Sequence, residues 1–351
     1  MARDNVEGFL AVKWHDGLMV RSDHFLHTDA RVSALFSEAV KVFFDQPGLA
    51  QIRSDATVSS QLVGIENVRP KGEGETLEIT LNVLSPFLGL TPDGGIVVGI
   101  PNTKGSLAMP ATAVKVEIQS GKRADYLLCA KQKTNEELNI RKICAEDRVI
   151  ELSYPGLQVD AVTAERYKSL ISTEYANCVP VALLRAEEDE AEIAPSYIPP
   201  VTRLRLADFF QRGAVTSLAQ LLLRLSDVSS EYIGAGGYLF SREEVGVEVR
   251  TRYYNYHLLN ALLLAKSGMV RDLSEFSPVR FFHELMFPLA RWFDQYYGTL
   301  KERKSSMAPL ATASSRIREL SGTDLFAGTE TILALSNDFV FKIIEAIKEI
   351  G

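Results

Sequence analysis

Histidines are the side chains in this chain best suited to metal or acid–base chemistry, and there are five: His15, His24, His27, His257 and His283. His24 and His27 stand three apart with Asp23 and Asp29 beside them, so one helical face could offer both rings to a metal. A structural metal site also needs a fourth ligand and an ordered outer shell, and the sequence supplies no motif for either. His257 and His283 sit among aromatic and leucine positions, where packing histidines are commoner than catalytic ones. Gly234-Ala235-Gly236-Gly237 has the flavour of a phosphate loop, but it follows a helical stretch and lacks both the dinucleotide glycine spacing and a Gly-Lys-Ser/Thr ending. A helix end and turn accounts for it. No G-x-S-x-G elbow occurs. Glu187-Glu188-Asp189-Glu190 is acidic enough to suggest a cation, yet consecutive side chains point apart, so a solvated turn is the reading. No catalytic residue, cofactor or metal site follows from these patterns, and the expectation is a protein without enzymatic activity.

The elements that would position such groups divide the chain in two. Its 351 residues exceed one average core, and 46% hydrophobic with 24% charged residues is ordinary globular composition. A net charge of −7 opposes a phosphate backbone, so nucleic acid is an unsuitable partner. Cys129, Cys144 and Cys178 are odd in number and widely spaced, which suits a reducing compartment. The charged N-terminus reads as no signal peptide, and no apolar run approaches a membrane span, so a cytoplasmic location is expected.

Up to about residue 194 the pattern is that of a β protein. Leu77–Val83 and Val114–Ile118 alternate apolar and polar residues, and turn signals at Lys71–Gly74, Pro92–Gly95 and Pro101-Asn102 separate the runs. Helical inserts are expected at Ser22–Phe44 and Thr163–Thr173. Pro195, Pro199 and Pro200 mark a stiff linker over 195–202. Beyond it the period becomes helical. Ala214, Leu218, Leu221, Leu225 and Val228 form a heptad stripe, which fits either an intramolecular bundle or a neck packed on its symmetry mates. Further helices are expected at about 242–266, from Ser277-Pro278 with a kink at Pro288, and at about 330–349.

The opening run Val12-Lys13-Trp14-His15-Asp16-Gly17-Leu18-Met19-Val20-Arg21-Ser22-Asp23-His24-Phe25 resembles the N-terminal signature of the TssK family, the baseplate adaptors of type VI secretion systems. That pattern reads V-x-W-x-E-G-M-F-L-x-P-Q-H-F. Trp14, Gly17, His24 and Phe25 match; Asp16, Ser22 and Asp23 depart from the family's glutamate, proline and glutamine. Val179–Leu184 looks like the family's L-P-V-A-R-V strand, Tyr197-Ile198-Pro199-Pro200 like its F-I-P-P junction, and Ser277–Phe282 like a neck-helix start, all in order.

The resemblance implies an α+β fold: an antiparallel β-sandwich shoulder over 1–194, similar to phage receptor-binding proteins, then the linker and a trimerising helical neck over 203–304. It implies a homotrimer whose shoulder engages the wedge proteins TssF and TssG and whose other end reaches a membrane-side complex. Trp14, Gly17, His24 and Phe25 would shape the shoulder, and Ala214, Leu218, Leu221, Leu225 and Val228 would line the trimer neck. After the neck, 305–351 is shorter than the family's C-terminal head and holds one amphipathic helix, packed into the neck or offered to a partner. Two other readings fit the same halves: a contractile phage or phage-like tail component, and an enzyme with a helical oligomerisation domain.

Overall fold

The computed structural model describes residues 44–52, 60–71, 76–101, 112–117, 123–132, 138–145, 148–188, 190–237, 246–299, 308–320 and 322–350, with positions 32, 34, 35, 38 and 39. Trp14, Gly17, His24, Phe25 and His27 lie outside these residues. So does Asn102, and of the helix expected at Ser22–Phe44 only the five isolated positions, which are helical, and Phe44 are described.

The first half is built from strands β1 (Gly48–Ile52), β2 (Val63–Lys71), β3 (Thr76–Val83), β4 (Phe87–Leu90), β5 (Ile96–Gly99), β6 (Thr112–Glu117), β7 (Ala124–Gln132), β8 (Leu138–Ala145), β9 (Arg148–Pro155), β10 (Leu157–Val162), β11 (Val179–Glu187) and β12 (Glu190–Ile193). Among the described residues they form open antiparallel sheets in the orders β1-β4-β5, β10-β7-β11-β12, β2-β3-β6 and β8-β9. The alternation expected in Leu77–Val83 is realised, with Leu77, Ile79 and Leu81 buried and their neighbours turned outward. They share one core with Leu49, Val63, Phe87, Val97, Val114, Val116, Leu128, Val159 and Val181, side chains drawn from three of the sheets. Each such Leu, Ile, Val or Phe contributes about 1.5–3 kcal/mol of transfer free energy.

Strand β7 is buried on both faces. Leu128 and Ala130 point into that core, while Leu127 and Cys129 join Val162, Tyr167, Ile171, Tyr175, Cys178, Tyr197 and Ala327 in a second one. The period of two thus makes one strand the wall between two cores. Helix α1 (Ala164–Leu170) lies in the second core, started by Thr163, whose hydroxyl accepts from the Arg166 amide at 3.4 Å. Pro180, which has no N–H to donate, falls where the β11–β7 register shifts. The acidic run falls at a turn, as expected, between β11 and β12: Glu187 pairs with Glu190, and Glu188 takes φ 49°.

The second half is helical: α2 (Ala207–Phe210), α3 (Ala214–Gly237), α4 (Val247–Ala265), α5 (Ser267–Arg271), α6 (Pro278–Phe281), a π turn (Phe282–Met286), α7 (Phe287–Thr299), α8 (Ala308–Glu319), α9 (Gly322–Ala327) and α10 (Glu330–Ile350). Ser277 caps α6, accepting from the Arg280 amide at 3.2 Å, with Pro278 at the first helical position. The irregularity expected at Pro288 takes the form of the π turn just before it. Proline cannot donate to the carbonyl four residues back, at Glu284, and the turn widens there. Gly234–Gly237 prove to be the last turn of α3 itself, not a turn beyond it.

One apolar core holds these helices together, including Leu310, Ala313 and Ile317 of α8 and Leu333, Phe339, Val340, Ile343, Ile344 and Ile347 of α10. The C-terminal helices are therefore built into the same body as α3, α4 and α7.

Candidate functional site

The residues that matter most for position are those at the passage between the two halves. Tyr197, Ile198, Pro199 and Pro200, expected as a linker, are all buried, as are Val201 and Thr202. Two prolines leave this stretch short of donors, and a buried backbone must find partners for what remains. It finds them on two sides.

On the β side, the Leu49 amide donates to the Pro200 carbonyl at 2.7 Å and the Thr202 amide returns to the Leu49 carbonyl at 2.9 Å. The contact is an isolated parallel bridge between Leu49 and Val201. Gly48 makes it possible. Its φ is +140°, and a Cβ there would sit 2.5 Å from the Pro200 oxygen. Gln46, almost fully buried, spans both halves with its amide: Nε2 donates to the Val201 carbonyl at 2.6 Å, and Oε1 accepts from the Val279 amide at 2.8 Å. That second bond satisfies one of the free N–H groups at the start of α6. Beside it the Ser277 hydroxyl donates to Asp45 Oδ2 at 3.1 Å.

On the helical side, the segment joining α9 to α10 lies across Tyr197–Pro199. The Tyr197 hydroxyl donates to the Ala327 carbonyl at 2.6 Å, and the Thr329 amide donates to the Ile198 carbonyl at 2.8 Å. The Thr329 hydroxyl donates to the Pro199 carbonyl at 2.9 Å, and the Ile198 amide donates to Glu330 Oε2 at 3.3 Å. Burial pushes the Tyr197 phenol well above its ordinary value. Burial likewise raises the Glu330 carboxyl to about 7, against the opposing pull of its backbone hydrogen bonds and Lys168.

Glu330 also borders a cleft of about 600 Å³ with Ser196, Gln211, Arg212, Ser217 and Asn337. A perturbed carboxyl in a cleft is a usual mark of catalysis, but this one is engaged with the backbone of the junction, which is a positioning role. Among the described residues no cluster of three metal-ligating side chains occurs. His257 lies edge-on to Tyr253 and His283 to Phe282, but both histidines are exposed on their helices rather than packed in the core as expected. Cys129 and Cys178 are free thiols in the second core.

The neck stripe is largely consumed within the chain. Leu218 and Leu225 are wholly buried in the helical core, with Ala214 close behind. Leu221 and Val228 are only partly buried, and Leu222 and Ser229 take the inward positions. A straight helix repeats every 3.6 residues, so the buried line runs 215, 218, 222, 225, 229 and drifts off the heptad. Among the described residues α4 exposes an apolar face: Val247, Tyr254 and Leu258 are 80%, 63% and 41% exposed, and their spacing of seven and four sets them together, while Leu223 of α3 and Phe341 of α10 are exposed singly. No helix among the described residues is long and apolar enough to cross a membrane.

No protein-family model matches the sequence, and neither does any curated protein. Solved structures do. The crystal structure of TssK matches with 13% identity and a TM-score of 0.52, over 96% of this chain and 69% of that one. A chain of the baseplate complex from the type VI secretion system matches with 14% identity and a TM-score of 0.50, over 95% of this chain and 99% of that one. The likeness runs through the strands, the junction and the helices alike, and the chain has the fold of TssK.

Proposed function

We propose that the chain is a structural, non-catalytic subunit of a type VI secretion baseplate, a homotrimeric adaptor of the TssK kind. The observation that carries this reading is the continuity of the fold likeness, 96% of the chain at a TM-score of 0.52, through both halves and the junction between them. The signature residues Trp14, Gly17, His24 and Phe25 and the junction Tyr197–Pro200 fall in the family's order and add independent support.

In this reading residues 1–194 are a β-sandwich shoulder that binds the wedge proteins TssF and TssG. The junction 195–202 sets its angle to a helical neck over 203–304, and 305–351 completes the neck. Self-association runs through the outward face of α4, since Leu218 and Leu225 already serve the chain's own core. The assembly works at the cytoplasmic face of the inner membrane, where a connector protein takes the other end.

Light scattering of the purified chain tests the oligomer. A mass near three times 38.9 kDa is expected, falling towards 38.9 kDa in the double variant Tyr254→Asp, Leu258→Asp. A monomeric wild type overturns the trimer.

A further inference from the structure

Glu330 opens α10 with its carboxyl folded back over the chain that joins the halves. A Cβ at Gly328 would overlap that carboxylate, so the group lies close against Gly328 while it accepts from the Ile198 amide. The strap Ala327–Glu330 makes four hydrogen bonds to Tyr197–Pro199, and only the one from the Ile198 amide ends on a carboxyl.

The charged and titratable groups around it are few. From α1, Lys168 is in electrostatic reach, but it is held by Asp324 of α9 at 2.6 Å. From the junction comes the Tyr197 phenol, with Cys129 and Tyr167 behind it; burial raises all three, and they stay neutral around pH 7. From the turn before α3, Arg212 lines the same cleft. Nothing in this set gives the Glu330 carboxylate an ion pair of its own.

We propose that the Ala327–Glu330 strap is a proton-controlled latch on the passage between the two halves, closed over Ile198 while the Glu330 carboxyl is neutral and loosened when it is charged. A neutral carboxyl oxygen still accepts from the Ile198 amide, whereas ionisation places a charge with no ion pair of its own on a half-buried side chain at the cleft wall. The sign is that of a raised acid. Closure is unopposed below the ordinary value of 4.5, weakens as pH climbs towards 7, and is constant above it. The latch would let proton concentration near neutrality set how firmly the β half is held against the helices. It stands whether or not the chain belongs to a baseplate.

Hydrogen exchange of the full chain tests it, reading the Ile198 and Thr329 amides from pH 6 to 8.5 after correction for intrinsic rates. The opening constant is expected to rise about tenfold between pH 6 and 8 and then level. Glu330→Gln is expected to abolish the rise and to protect both amides more strongly at pH 8. A wild type and a variant with the same pH profile overturn the proposal. Should the variant not fold, the carboxyl carbon of Glu330 is titrated by NMR in the wild type. A midpoint near 7 supports the latch and one near 4.5 overturns it.

Discussion

Tyr197 and Ala327 stand 130 residues apart, and the phenol hydroxyl of the first donates to the carbonyl of the second at 2.6 Å in a fully buried setting. This bond ties the end of the β half to the entry of the last helix. It turns a proline-rich passage, which sequence alone marks as a spacer, into a fixed joint.

Removing it has a defined cost. Tyr197→Phe keeps the ring in its core with Tyr167 and Ile171 but leaves the Ala327 carbonyl without its donor. A loss of about 1–3 kcal/mol is expected in urea unfolding, with the spectroscopic signature of the fold unchanged.

Two glycine substitutions should act in opposite directions. Gly48→Ala meets the Pro200 carbonyl and a backbone angle of +140°, so it should destabilise by about 1–3 kcal/mol or more. Gly234→Ala adds a methyl to an exposed helical position with nothing within 4 Å, and should stabilise by about 0.5–1 kcal/mol. Paired thermal melts read both.

Leu225→Ala should cost about 2–5 kcal/mol, because its side chain is enclosed by the chain's own helices. Leu258→Ala should leave intramolecular stability within about 0.5 kcal/mol, since its side chain faces outward. Denaturant unfolding at a concentration where both variants are monomeric separates the two.

Glu284 is held by Lys266 at 2.9 Å and Arg280 at 2.7 Å, and these bonds lower its carboxyl below the usual range. The stability it adds is present above the ordinary carboxyl value of 4.5 and is lost as pH falls through the lowered one. The cluster is surface-exposed and screened, so Glu284→Gln should cost no more than about 1 kcal/mol at pH 7. That difference should shrink in acid and in high salt.

Cys129 and Cys178 should resist maleimide at pH 7 in the native protein and react once urea is added. Burial pushes both thiols up, Cys178 to about 11, so the reactive thiolate is scarce as well as enclosed.

The parts of the fold visible in sequence were those written in local periodicity. Leu77, Ile79 and Leu81 announce a strand, Ser277-Pro278 a helix start, and the Glu330 helix its own span. The joint was located by its prolines, but its partners were not. Gln46 and Thr329 meet it only through contacts more than a hundred residues long, which leave no local pattern. Thr329 even has the look of a helix cap, while its hydroxyl goes to Pro199. The stripe through Leu218 and Leu225 was legible as a face, yet a heptad reading chose Leu221 and Val228 where the 3.6 period selects Leu222 and Ser229. Whether a face packs on its own chain or on a copy is not encoded in its period.

The most direct measurement is co-expression of the full chain with candidate wedge proteins TssF and TssG, followed by the mass of what purifies. A discrete complex containing a multiple of three copies of this chain is expected. Capture is expected to be lost when residues 1–194 are removed and kept when the α4 face alone is altered. No complex at micromolar concentration, or capture by the helical half alone, would contradict the adaptor role.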